Sequence, residues 1–192
     1  EVPITQITNG VHHLTWVHRD LLDLLEAPSG SLSESDGYDW DALSTVDSKT
    51  IWALKRRMRE DLIAMTRERL AASGANRGLS TDWVAKALNP DVLTFGFARR
   101  VPSYKRLTLM LRDPDRLKAL LTDKDRPIQI VIAGKAHPAD EGGKALVQQV
   151  VQFADDHAVR EHIVFLPDYD IAMAKRLYPG CDVWLNNPLR PY

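Results

Sequence analysis

The spacing of hydrophobic residues divides the chain into a helical first half and a second half in which strands and helices alternate. Over residues 48–73, apolar side chains recur at three- and four-residue steps, which predicts one long amphipathic helix. Shorter helices are predicted at 19–26, at 41–48 and from Ser80 to Leu88. On the long helix, a cluster of basic side chains is predicted to face solvent: Lys55, Arg56, Arg57 and Arg59.

From residue 90 onward, apolar segments of strand length alternate with helical patterns. The predicted strands are 92–98, 127–134, 162–168 and 181–187. The predicted helices are 104–111, 114–121, 143–157 and 171–177. Alternation of this kind is typical of the α/β class with a parallel sheet. Because the carboxyl ends of parallel strands meet at one edge, we expect a common rim formed by 99–105, 135–137, 168–170 and 186–190.

The segment TFGFARRVPSYKRLT, at 94–108, places four cations where the first strand ends and a helix begins. The strand ends in Arg99 and Arg100, and Lys105 and Arg106 follow after a short loop. Cations at a helix amino terminus favour the binding of an anion such as phosphate. A solvated basic turn is the alternative. The position at the carboxyl end of a strand, where α/β sheets bind ligands, favours the anion site.

Composition narrows the classes of partner. The chain has 192 residues, 44% of them hydrophobic and 27% charged, with a net charge of -1, which argues against a general nucleic-acid or membrane-surface partner. No apolar run approaches the ~18 residues of a membrane span, and the start has no signal-peptide pattern. The single cysteine, Cys181, excludes an internal disulfide framework and is predicted to be a buried thiol in a reducing compartment. Since the first residue is not methionine, we expect a piece of a longer chain.

Other motifs are weak or absent. Residues 1–16 are predicted to be extended, with a turn at Asn9-Gly10. His12, His13 and His18 lie close together, but no second cluster of ligands supports a metal site, so none is predicted. No strand is followed by a dinucleotide fingerprint or a Walker lysine motif.

Several segments resemble the α-glucan (glycogen, starch or maltodextrin) phosphorylases, especially their bacterial short form. They are ITNGVHHLTW at 7–16, GFARRVPSYKR at 96–106, VIAGKAHPAD at 131–140, FLPDYD at 165–170 and CDVWLNNPLRP at 181–191. The resemblance implies a two-domain glycosyltransferase of the GT-B type, with its active site between two Rossmann-like domains. Residues 1–90 would then form a hinge and helical region, and 91–192 the first part of the carboxyl-terminal domain.

The resemblance also implies a reaction. In this family, inorganic phosphate cleaves the terminal α-1,4-linked glucose of a glucan and gives glucose 1-phosphate with retention. Pyridoxal phosphate is the cofactor and assists through its phosphate group. A cytoplasmic location, homo-oligomer formation at full length, and no nucleic-acid or membrane partner are implied as well. We expect the isolated 192-residue chain to be inactive.

The basic residues of the 96–106 motif match the family's phosphate contacts. Arg100 and Lys105 match the positions that hold the substrate phosphate, and Arg99 matches a position near the cofactor phosphate. A planar guanidinium can bind two phosphate oxygens while an ammonium adds a point charge, so the pair can compensate a dianion.

Four further residues match positions that line the sugar or the cofactor. Asn9 and Tyr104 match residues of the glucose site, and Trp16 and Tyr169 match positions near the cofactor. Alternative interpretations remain for three of them: a turn former for Asn9, a core aromatic for Tyr104 and a hinge-packing residue for Trp16.

The sequence differs from the typical phosphorylase sequence at the following positions. The family's cofactor lysine is expected just beyond Tyr192, Asp170 stands where many relatives have arginine, and Pro102 replaces a histidine of some relatives.

Two other functions are compatible with the same type of fold. One is a nucleotide-sugar glucosyltransferase of the glycogen synthase kind, and the other is a non-catalytic glucan-binding module.

Overall fold

The chain folds as two compact units, which divide between Val46 and Asp47. The computed structural model describes residues 11–29, 40–100 and 106–187. None of the helices in these ranges combines the length and the apolar character that a membrane span requires.

The described part of the first unit contains three short helical elements. They are α1 (His13–Trp16), α2 (Arg19–Ser29) and a 3-10 helix (Trp40–Thr45). The prediction of an extended segment up to Trp16 is wrong at its end, because α1 is a single helical turn closed by a hydrogen bond from the Thr15 amide to the His12 carbonyl at 3.0 Å. The predicted turn at Asn9-Gly10 lies outside the described residues.

The second unit holds the sheet and the longer helices. In chain order these are α3 (Ser48–Asn76), β1 (Leu93–Arg100), α4 (Pro114–Leu121), β2 (Ile128–Lys135), α5 (Glu141–Ala154), β3 (Ile163–Leu166), α6 (Ile171–Gly180) and β4 (Val183–Trp184). Two 3-10 helices, Asp82–Lys86 and Leu107–Arg112, lie where α-helices were predicted. The boundary predicted near residue 90 remains a prediction about the domains of a longer protein.

The four strands form one parallel sheet in the order β3-β2-β1-β4. The α/β class and the parallel sheet are therefore confirmed. Strands β2 and β3 extend the sheet on one side of β1, whereas β4 returns to the other side. In open α/β sheets, such a reversal of strand order creates a crevice at the carboxyl ends, where ligands bind.

Each face of the sheet is covered by helices. Alternate strand residues enter opposite cores, as Phe97 and Ala98 of β1 do. On one face, the core includes residues of α3 and α6 together with Ala98, Val131, Ala133, Val164 and Leu166. On the other face, residues of α4 and α5 pack with Phe97, Ile130, Ile132 and Ile163. Burial on both faces explains why the strands are continuous apolar runs rather than alternating ones.

The basic cluster of α3 differs from the prediction. Arg59 is only 3% exposed, and Lys55 is half-buried. The Arg59 guanidinium donates to the Pro90 carbonyl at 2.7 Å and to Asp182 at 2.6 Å. The prediction that these two side chains face solvent is wrong, because the Asp182 carboxylate and backbone carbonyls of the segments that lead into β1 and β4 lie opposite them and accept their hydrogen bonds.

The crossing of α3 and α6 requires a glycine. A Cβ atom built on Gly180 would lie 2.5 Å from the Leu62 Cβ and 3.0 Å from the Met58 carbonyl oxygen. A methyl group at residue 180 would overlap both of these atoms unless the two helices moved apart. The absence of a side chain at Gly180 therefore sets how closely α6 approaches α3.

Candidate functional site

The carboxyl ends of β1 and β4 are joined by a side-chain hydrogen bond. The Arg99 guanidinium, on β1, donates through Nη2 to the side-chain oxygen of Asn186, which follows β4. This contact lies at the reversal of strand order, where the topology places the ligand crevice of the fold. One of the four predicted cations is thereby fixed at the predicted rim.

Asn187, the residue after Asn186, makes a second, reciprocal contact with Arg106. Arg106 donates through Nε to the Asn187 carbonyl at 3.0 Å, and the Asn187 side-chain amide donates to the Arg106 carbonyl at 3.3 Å. Arg106 has a φ of 47°, in the left-handed region that non-glycine residues adopt infrequently. The chain after β4 therefore holds the backbone of Arg106 directly.

Tyr169 lies in the loop after β3, half-buried against the core on the α3 and α6 face. Burial raises the pKa of the Tyr169 hydroxyl to about 12; Tyr178 adds to the rise and the positive charge of Arg99 opposes it. The hydroxyl therefore remains protonated at neutral pH and can donate a hydrogen bond.

The loop after β2 is shaped by two side chains that contact its own backbone. The His137 ring accepts a hydrogen bond from the Ala139 amide at 3.1 Å, and Asp140 caps α5 by accepting from the Gly143 amide at 2.8 Å. Lys135, at the end of β2, is exposed and pairs in register with Arg100 of β1. Lys135 thus adds a cation from β2 to the arginines at the same edge of the sheet.

Asp170, for which the sequence indicated no role, is a helix cap. Its carboxylate accepts from the Met173 amide at 2.7 Å and forms an ion pair with Arg69 of α3 at 3.3 Å. The hydrogen bond from the Met173 amide is the main reason that the pKa of Asp170 is lowered, and Arg69 adds to it. Its position at the start of α6 explains an acidic residue there.

Curated proteins similar to this chain carry phosphorylase names, although no family model matches it. A glycogen phosphorylase of Mycobacterium tuberculosis is 56% identical over 195 aligned residues, which cover 100% of this chain. A glycogen phosphorylase of Aquifex aeolicus is 39% identical and a maltodextrin phosphorylase of Thermococcus litoralis is 32% identical, each again over 100% of the chain. The chain is homologous to one segment of the α-glucan phosphorylases. It spans 22%, 28% and 23% of the length of these three relatives, respectively.

The phosphorylase homology agrees with the observed fold and confirms the predicted resemblance. A parallel sheet with helices on both faces is consistent with the Rossmann-like half of a phosphorylase domain. Of the predicted site residues, Arg99 and Tyr169 both lie at the carboxyl edge of the sheet, near the end of β1 and in the loop after β3. Arg100 ends β1, and Trp16 lies in α1 of the first unit. Asn9, Tyr104 and Lys105 lie outside the described residues.

Two residues at the carboxyl edge of the sheet carried no individual prediction. Asn186 and Asn187 were predicted only as part of the rim, yet each contacts one of the arginines that border the proposed phosphate segment. Two consecutive amides at the end of the predicted strand 181–187 were the only signal in the sequence. Within the described ranges, no group of three or more His, Cys, Asp or Glu side chains is arranged to hold a metal ion.

Proposed function

We propose that the chain is part of an α-glucan phosphorylase, which transfers the terminal α-1,4-linked glucose of a glucan to inorganic phosphate and gives glucose 1-phosphate with retention. The observation that carries this proposal is the alignment of the whole chain, at 56% identity, with a protein named glycogen phosphorylase. Because the chain spans 22% of that relative, the activity is proposed for the full-length protein.

In this proposal, Arg100 and Lys105 bind the substrate phosphate. Arg100 is the last residue of β1, at the sheet edge where strand order reverses, and Lys135 pairs with it on the neighbouring strand. Cations beside the phosphate would stabilise its negative charge and hold it next to the glucose carbon that it attacks. They also reduce the repulsion between two phosphate groups held close together in a cleft of low dielectric constant.

Asn9 and Tyr104 are proposed to contact the glucose, on the basis of their positions in the 7–16 and 96–106 motifs. An amide can bind a sugar hydroxyl, and a tyrosine ring can pack on the sugar while its hydroxyl reaches an oxygen. Trp16, in the same motif as Asn9, is proposed to lie near the cofactor.

Arg99 and Tyr169 fit a role in holding the phosphate of pyridoxal phosphate. Arg99 is held by the neutral amide of Asn186 and, among the described residues, forms no ion pair with a carboxylate, so its charge is suited to a phosphate. Tyr169, with its pKa near 12, can supply a hydrogen bond from a protonated hydroxyl. When bound, the cofactor supplies a phosphate group for acid-base catalysis. The lysine that would carry it is expected beyond Tyr192.

The remaining parts of the proposal concern the whole protein. The GT-B architecture, a cytoplasmic location and assembly as a homo-oligomer are proposed from the resemblance. The buried cysteine is consistent with a reducing compartment, since Cys181 is 7% exposed and has no disulfide partner among the described residues.

The proposal is tested by measuring phosphate-dependent release of glucose 1-phosphate from maltodextrin by the full-length protein. We expect Arg100→Ala and Lys105→Ala each to lower kcat/KM by about 10²- to 10³-fold, the typical loss for one transition-state charge contact. Arg126→Ala and Lys124→Ala are matched controls, since both residues precede β2 at the opposite edge of the sheet. Both controls should retain wild-type kinetics.

Each rival function has a distinct outcome. Turnover of a nucleotide sugar without phosphorolysis would overturn the reaction in favour of a glucosyltransferase. Glucan binding with neither reaction would support a non-catalytic module. The purified 192-residue chain should release no glucose 1-phosphate on its own, and activity of that chain would contradict the need for the remaining part of the enzyme.

A further inference from the structure

Two consecutive asparagines contact the two arginines that border segment 100–105. Asn186 accepts a hydrogen bond from the Arg99 guanidinium, and Asn187 exchanges two hydrogen bonds with Arg106. Arg99 precedes the segment proposed to bind the substrate phosphate, and Arg106 follows it. A single dipeptide after β4 therefore fixes both borders of that segment.

The two contacts constrain different parts of the arginines. The Asn186 contact joins two side chains, so it orients the Arg99 guanidinium at the end of β1. The Asn187 contact reaches the Arg106 backbone, because the side-chain amide donates to the carbonyl of that residue. Arg106 has a left-handed φ of 47°, and a fixed carbonyl helps to maintain this infrequent conformation.

The amide of Asn187 can adopt only one useful orientation. Its Oδ1 is buried and has no hydrogen-bond partner among the described residues, whereas its Nδ2 faces the Arg106 carbonyl. Rotating the amide by half a turn would bring two oxygens together and leave the nitrogen with no partner among residues 106–187 or the other described ranges. A buried oxygen without a partner costs stability, so packing alone does not account for asparagine at this position.

We propose that the Asn186-Asn187 dipeptide positions the arginines on either side of the phosphate-binding segment and thereby raises its affinity for inorganic phosphate. This inference rests on the proposed function of that segment. Both asparagines are positioning residues, because they act through Arg99 and Arg106. Holding the borders of the segment before binding lowers the ordering cost that phosphate binding would otherwise carry.

The test uses the full-length protein with Asn186→Ala, Asn187→Ala and Asn187→Leu. Leucine has the same branching and the same number of side-chain heavy atoms as asparagine but cannot donate to the Arg106 carbonyl, so it tests the hydrogen bond while keeping a side chain of similar shape. Asn186 is exposed, so its replacement should leave the fold intact. Asn76→Ala, at the exposed last residue of α3, is the matched control.

The first readout is the affinity for inorganic phosphate, measured by isothermal titration calorimetry. We expect each single variant to bind phosphate about 3- to 10-fold more weakly, the factor that corresponds to loss of one hydrogen bond. Asn187→Leu should be as weak as Asn187→Ala, and Asn76→Ala should match the wild type. In the phosphorolysis assay, KM for phosphate should rise while KM for maltodextrin and the melting temperature of Asn186→Ala stay unchanged.

The outcomes separate this inference from the proposed function. Wild-type phosphate affinity in Asn186→Ala and Asn187→Leu would overturn the inference and leave the phosphorylase proposal intact. Weakened phosphate binding in a protein that performs no phosphorolysis would support the inference and overturn the proposed reaction. If the wild-type protein binds no phosphate, both fall.

Discussion

The guanidinium of Arg59, on α3, donates a hydrogen bond to the carboxylate of Asp182 at 2.6 Å, just before β4 begins. The other carboxylate oxygen of Asp182 accepts from the Thr94 amide of β1 at 2.9 Å, and Arg59 also donates to the Pro90 carbonyl. One buried cation thus joins a helix to the chain segments that enter two neighbouring strands. This contact, together with the pairing of β4 with β1, holds the start of the strand that precedes Asn186 and Asn187.

Removal of the Arg59 side chain should strongly destabilise the fold. We expect Arg59→Ala to lower the free energy of unfolding by about 3–5 kcal/mol, because it leaves the mostly buried Asp182 carboxylate without its closest cation. Urea unfolding followed by tryptophan fluorescence measures the loss. Arg112→Ala, at an exposed arginine, is the control and should change the midpoint little. Equal effects of the two variants would contradict a structural role for Arg59.

The close crossing of α3 and α6 predicts that Gly180 does not tolerate a methyl group. Gly180→Ala should lower the free energy of unfolding by about 1–3 kcal/mol, because the new Cβ would overlap Leu62. Gly142→Ala in α5 is a matched control, since its nearest neighbour atom would lie at 3.4 Å. This control should be neutral or slightly stabilising, because alanine favours a helix over glycine. Thermal unfolding of the two variants provides the comparison.

Gln129 joins β2 to the segment that leads into β1. This side chain is 1% exposed; it accepts from the Asn89 amide at 2.8 Å and donates to the Asn89 carbonyl at 2.9 Å and to Thr94 Oγ1 at 2.8 Å. Gln129→Leu should cost about 1–3 kcal/mol of stability, since it removes the partner of the Asn89 amide and carbonyl and of the buried Thr94 hydroxyl. Gln148→Leu, on the exposed side of α5, is the control. An unchanged urea midpoint for Gln129→Leu would show that these groups find other partners.

Cys181 should make the stability of the protein fall at high pH. Burial raises the pKa of its thiol to about 12 from an ordinary value of 9.0, and Lys55 only partly opposes the rise. Between these two pH values the unfolded chain loses the proton while the folded chain keeps it, so stability decreases as pH rises from 9 toward 12. The slope should be less steep in Cys181→Ala, as measured by urea unfolding at pH 8, 9, 10 and 11. Parallel curves for the two proteins would contradict burial of the thiol.

The same burial predicts low reactivity of the thiol. Because the thiolate is the reactive form, Cys181 should resist alkylation by iodoacetamide at pH 8 in the folded protein and react readily in urea. Mass spectrometry after timed labelling measures both rates. Rapid labelling without denaturant would indicate that this part of the core opens.

The amino-acid sequence by itself determined the class of the fold and the homology. Strands buried on both faces must be continuous apolar runs, so β1 and β2 are visible as 92–98 and 127–134 without any structure. The spacing of apolar residues likewise predicted α3, because a helix packed against a sheet needs one apolar stripe. The phosphorylase resemblance depended on local motifs, which a sequence displays directly.

Only the tertiary structure decided which polar residues meet. Arg59 looks like any other basic residue of an amphipathic helix, and its burial depends on Asp182, 123 positions away along the chain. The roles of Asn186 and Asn187 follow from the return of β4 to the side of β1 opposite β2, which sets their partners at Arg99 and Arg106. The spacing of apolar residues along the chain indicates whether a side chain faces a core. The partner of a buried polar group is set by strand order and helix crossing, which arise from contacts distant in sequence.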